Sequence, residues 1–113
     1  HCSLMQSAAA TMNEALAGVV IHAPKVPVVV NVRAEAVTEP DRIRALLVAQ
    51  GTGSVRWRES VMWMQGAGVT DYWEIGAGKA LSGMIRRIDK AATTLAVGTP
   101  EDVQAARAAA DGA

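Results

Sequence analysis

Residues 69–88 read VTDYWEIGAGKALSGMIRRI, and this stretch decides the fold class. Val69, Tyr72, Trp73 and Ile75 are β-formers in a short run between Gly68 and Gly76, which predicts a buried strand. Gly76-Ala77-Gly78 follows as a tight turn, where side chains would obstruct the backbone. Leu81, Met84, Ile85 and Ile88 then keep the i, i+3, i+4, i+7 spacing of one helix face. At about 100° per residue, Lys79, Arg86 and Lys90 fall together on the opposite side. Strand, glycine turn and helix form the repeating unit of an α/β sheet, whose ligands gather at the carboxyl ends of the strands.

Towards the N-terminus, Ser54 can cap a helix whose face is Trp57, Val61 and Met64, closed by Gly66 and Gly68. Before it, Pro40 suits a helix N1 position and Asp41 a first turn. Ile43, Leu46 and Leu47 give that helix a buried face, and it should end near Gln50-Gly51, with Thr52-Gly53 as a short loop. Residues 26–32 are nearly all β-branched, which suits a strand covered on both faces, with Pro27 at its beginning. Ser3 and Gln6 fit a capping box for a first helix over residues 4–17, with Met5, Ala8, Ala9, Met12 and Leu16 on one face.

Towards the C-terminus, residues 93–97 are a short strand candidate. Thr99-Pro100-Glu101-Asp102 is a strong helix start, combining a cap, an N1 proline and two acids near the positive dipole end. The alanine-rich helix that follows should fray at Asp111-Gly112-Ala113. The order α-β-α-α-β-α-β-α predicts an α/β fold with a mainly parallel sheet.

At 113 residues the chain has room for one domain, and half of its residues are hydrophobic, enough for a core. Phe is absent, so that core must be built from Val, Ala, Leu, Ile and Met with three Trp. Eleven basic residues balance eleven acidic ones, which argues against a nucleic-acid binder. Cys2 is the single cysteine, which excludes an internal disulfide and points to a reducing, cytoplasmic setting. No apolar run reaches about 18 residues, so no membrane span is expected. The chain opens at His1 and runs straight into a helix signal, and its apolar strands have few neighbours. Both features suggest a piece of a longer polypeptide.

Gly76-Ala77-Gly78-Lys79 invites a phosphate-loop reading, because amides at a helix N-terminus attract anions. It lacks the GxxxxGK[ST] spacing, however, and Ala80 stands where a hydroxyl would hold magnesium. His1, His22 and Cys2 provide no second ligand pair, so no metal is expected. No GxSxG elbow surrounds any serine, and the residues alone form no complete catalytic set. Lys79, Arg86 and Lys90, with Arg87 beside them, are either a solvated face or a docking surface for an acidic partner. Gly83 lies on the same polar side, where close approach by another backbone would account for it. These features allow a small module that binds a phosphate ligand or an acidic partner without catalysis.

Taken together, several blocks resemble the C-terminal part of the malonyl-CoA:acyl carrier protein transacylases of fatty acid synthesis. His1-Cys2-Ser3-Leu4-Met5 is similar to that family's H-S/C-x-L-M segment, and Val28-Val29-Val30-Asn31-Val32 to its V-x-x-N-V strand. Gln50 with Val55-Arg56-Trp57 is similar to its Q-x-x-x-P/S-V-x-W block, and residues 74–81 to its E-V/I-G-P-G-K-x-L block. Ala77 replaces the usual proline, and Gly51 a larger apolar residue.

The resemblance implies an α/β, hydrolase-like acyltransferase, with residues 1–113 forming the C-terminal portion of its large subdomain. It implies a serine in a GHSxG elbow that takes malonyl from malonyl-CoA and passes it to the phosphopantetheine thiol of acyl carrier protein. It further implies His1 as general base and Gln50 as the residue whose main-chain carbonyl orients that imidazole. Arg86 and Arg87 match basic positions that contact the acidic carrier protein, in agreement with the stripe of Lys79, Arg86 and Lys90. The elbow, the arginine that pairs with the malonyl carboxylate, the oxyanion-hole glutamine and a small ferredoxin-like subdomain would all lie upstream. Malonyl-CoA is then a substrate, and no cofactor is called for.

Overall fold

The computed structural model describes residues 5–111. His1, Cys2, the Ser3 cap and the Gly112-Ala113 tail lie outside the described residues. The chain divides into two compact units, His1–Trp63 and Met64–Ala113.

The first unit holds α1 (Gln6–Ala17), β1 (Val28–Val30), β2 (Glu35–Val37), α2 (Pro40–Gln50) and the start of α3 (Trp57–Gly66). The valine-rich run is shorter than its composition suggests, and it is not part of a parallel pair. β1 turns back through residues 31–34 and pairs antiparallel with β2, Val28 opposite Val37 and Val30 opposite Glu35. The Val30 carbonyl accepts from the amides of Ala34 (2.7 Å) and Arg33 (3.3 Å), and Ala34 takes a positive φ of 52° to close the turn. Burial is one-sided as a result. Val30 and Val37 join Ile43, Leu46 and half-buried Val32 in the core, while Val28 faces outward.

Pro40 opens α2 as expected, but Leu47 is 46% exposed where Leu46 is 8% exposed. The buried stripe of α2 is therefore Ile43 and Leu46 alone. α1 runs antiparallel to α2. A Cβ built on Gly51 would stand 3.3 Å from the Ala9 Cβ, and the Arg44 guanidinium donates to the carbonyls of Leu16 and, at 2.6 Å, Val19. Leu16 lies in the last turn of α1, where the helix dipole is negative, so a cation there is favourable. Met5 and Met12 stay exposed, and only Ala9 and Leu16 of the α1 face are half-buried. α3 starts at Trp57 rather than at Ser54, and its Val61 is 0% exposed.

The second unit is a βαβ crossover followed by a helix. β3 (Asp71–Ile75) and β4 (Thr93–Val97) pair in parallel, Asp71 opposite Thr93 through Ile75 opposite Val97. α4 (Ala80–Ile88) connects them, and α5 (Pro100–Asp111) follows. Gly76 donates to the Val97 carbonyl (3.0 Å) and carries the ladder one residue beyond β3. Gly76 and Gly78 then take φ values of 136° and 88°, conformations that side chains rarely allow. β3 is not covered on both faces among the described residues: Tyr72 is buried, but Trp73 and Ile75 are 46% and 78% exposed. α4 buries Ser82 and Ile85 and half-buries Met84 and Ile88, while Leu81 is exposed.

Candidate functional site

Gln50 is the last residue of α2, and its side-chain amide donates to the Ser54 carbonyl at 3.4 Å. Its main-chain carbonyl belongs to the last turn, whose carbonyls an α-helix leaves without intrahelical donors. Because α1 and α2 are antiparallel, α1 begins at the end of the pair where α2 finishes. His1 itself lies outside the described residues. The loop after Gln50 is held close: a Cβ on Gly53 would stand 2.5 Å from the Val32 Cγ2, so only glycine fits beside that valine.

Asn31 ties this end of the hairpin to α3. Its carbonyl accepts from the Arg56 amide (3.1 Å), and its Oδ1 lies 3.0 Å from the buried Ser60 hydroxyl, which is also 2.7 Å from the Arg56 carbonyl. The asparagine that follows the valine run is thus a fastening between β1 and the first turn of α3.

In the second unit, the glycine turn does not present an empty anion cradle. The Glu74 carboxylate accepts from the Ser82 amide (2.8 Å), the Ser82 hydroxyl (2.8 Å) and the Leu81 amide (3.2 Å). The Ser82 amide above all, then its hydroxyl and the Leu81 amide, hold the Glu74 pKa below the ordinary carboxylate value. Glu74 therefore already fills the positive end of α4, where a phosphate would have to sit. Composition gave no sign of this cap, because its acceptor lies on the preceding strand rather than at the N-cap position.

Lys79, Arg86, Arg87 and Lys90 are all exposed, and none forms an ion pair among the described residues. Arg86 donates to the Thr94 hydroxyl at 2.9 Å, which lays its guanidinium beside β4. Lys79, Ser82, Arg86, Thr94 and Asp102 share a groove of about 330 Å³. Asp102 completes the Thr99 cap: its carboxylate accepts from the Gly98 and Thr99 amides (3.1 and 3.2 Å), and its own amide donates to the Thr99 hydroxyl (3.1 Å). The Gly98 amide chiefly, with the Thr99 hydroxyl and the Lys79 charge contributing, keeps the Asp102 pKa low. No group among the described residues comes within 4 Å of a Cβ built on Gly83, so no backbone approaches it there.

No family model matches the chain. It is 41% identical over 106 residues to the malonyl CoA-acyl carrier protein transacylase of Escherichia coli K12, covering 94% of this chain and 34% of that relative. The chain is homologous to malonyl-CoA:acyl carrier protein transacylases. The crystal structure of the acyl-carrier-protein-S-malonyltransferase of Bartonella henselae superposes with a TM-score of 0.86 at 48% identity, over 94% of this chain and 34% of that one. A type II polyketide acyl-carrier protein in complex with its malonyl-transacylase gives a TM-score of 0.83 at 35% identity, with the same coverage. The chain thus spans about a third of the length of the transacylases it matches. The α/β fold matches that of the transacylase structures, and it contains the parallel β3–β4 pair. No helix among the described residues is long and apolar enough to cross a membrane.

Proposed function

We propose that this chain is the histidine-bearing, C-terminal portion of the large subdomain of a malonyl-CoA:acyl carrier protein transacylase. It would act in the cytoplasm together with an upstream portion that carries the nucleophilic serine. The observation that carries this reading is the antiparallel α1–α2 pair, which starts one helix where Gln50 ends the other. That arrangement supports pairing a base ahead of α1 with the last carbonyl of α2.

In the first half-reaction the His1 imidazole takes the serine hydroxyl proton as the oxygen attacks the malonyl thioester. It then returns that proton to the departing coenzyme A thiolate. In the second half-reaction it takes the phosphopantetheine thiol proton, and the sulfur displaces the serine. The proton goes back to the serine oxygen. The Gln50 carbonyl accepts from the other ring nitrogen and fixes the tautomer, although it stabilises imidazolium less than a carboxylate would. Lys79, Arg86, Arg87 and Lys90 offer positive charge to an acidic carrier protein.

A phosphate-binding module centred on Gly76–Lys79 is disfavoured, because Glu74 occupies the Leu81 and Ser82 amides at the start of α4. The test is malonyl transfer to carrier protein by a polypeptide completed to the relatives' length. His1→Ala should lower kcat by about 10²- to 10⁴-fold; full activity would overturn the assignment.

A further inference from the structure

We propose that Glu74 is a positioning residue for carrier-protein docking, acting through α4. The proposal rests on the reading that the basic face of α4 takes the acidic carrier. Three hydrogen bonds run from the first turn of α4 to this one carboxylate on β3: from the Ser82 amide and hydroxyl at 2.8 Å each, and from the Leu81 amide at 3.2 Å. The glycine turn that leads into it is held at its start, where the Gly76 amide donates to the Val97 carbonyl (3.0 Å) and Gly98 packs against Gly76. Cβ atoms built on Gly76 and Gly78 would meet nothing within 4 Å, and residues 76–81 are all exposed. The first buried side chain of α4 is Ser82 itself, and the next is Ile85. The carboxylate is therefore the side-chain tether that joins the first turn of α4 to β3.

Lys79 lies just outside the tethered amides, with Ala80 between, and Arg86 follows about one turn after Ser82, anchored separately to Thr94. Two cations held at a fixed spacing on a short helix make a template for acidic groups on a partner. Without the tether, Lys79 and the first turn can move while Arg86 stays at β4. Malonyl loading brings a small thioester rather than an acidic protein to the enzyme, so the two half-reactions should respond differently.

The experiment uses a polypeptide completed to the relatives' length and compares Glu74→Gln, Ser82→Ala and Arg86→Glu. Serine acylation by malonyl-CoA is followed in a single turnover, and KM for acyl carrier protein at steady state. Glu74→Gln should raise the carrier KM roughly threefold or more and leave the acylation rate unchanged. Ser82→Ala keeps both amide bonds, so it should move the carrier KM in the same direction by less; it carries the test if Glu74→Gln does not fold. A raised carrier KM in Arg86→Glu beside an unchanged or lowered one in Glu74→Gln overturns the positioning role and leaves the docking reading intact. An unchanged carrier KM in Arg86→Glu overturns the docking reading itself. Equal slowing of both half-reactions in Glu74→Gln reduces Glu74 to a stabilising cap and also overturns the proposal.

Discussion

A Cβ on residue 98 would stand 2.8 Å from the Gly76 carbonyl oxygen, in the seam where β4 hands over to α5. That oxygen is backbone and cannot swing aside, so Gly98→Ala should destabilise the chain by about 1–3 kcal/mol. A urea midpoint equal to that of the parent would contradict it. Acid should act through Glu74 and Asp102. Both carboxyl groups have pKa values lowered in the folded state, so their contribution is present above the unfolded values and is lost as pH falls through the folded ones. Between about pH 5 and pH 2 the parent should lose melting temperature faster than a Glu74→Gln, Asp102→Asn double variant; parallel curves would exclude these two groups as the source. Asp102 was legible beforehand, because Thr99-Pro100-Glu101-Asp102 places cap and acid in sequence. Glu74 was not, because its role appears only once β3 and α4 fold back across the glycine turn.

Among the elements, β3, the glycine turn, α4 and β4 could be read directly, since strand and helix periods alternate there with glycine between them. The hairpin could not. Glu35-Ala36-Val37 has a single β-branched residue, and its pairing depends on Ala34 accepting a positive φ. The valine run ahead of it suggested burial on both faces, whereas the tight return leaves only Val30 buried in β1. Adjacent leucines on α2 provide a controlled comparison. Leu46→Ala removes a core side chain and should cost about 2–4 kcal/mol, while Leu47→Ala removes an exposed one and should cost less than about 1 kcal/mol. Denaturation of the 113-residue chain measures both, and equal costs would contradict the packing of α2.

For the molecule as a whole, four separated blocks in the right order carried the resemblance, and the match over 94% of the chain at 41% identity bears it out. No spacing rule could have singled out His1 and Gln50, because they lie far apart in the sequence and enter only through the resemblance. The basic face was legible as a stripe, since charges at helical spacing gather on one side whatever they bind. The most direct test is the distance from a His1 ring nitrogen to the Gln50 main-chain oxygen, in a crystal structure of the polypeptide completed to the relatives' length. A hydrogen bond of about 2.7–3.2 Å is predicted; a ring more than about 5 Å from that oxygen, or turned away from it, would contradict the catalytic assignment.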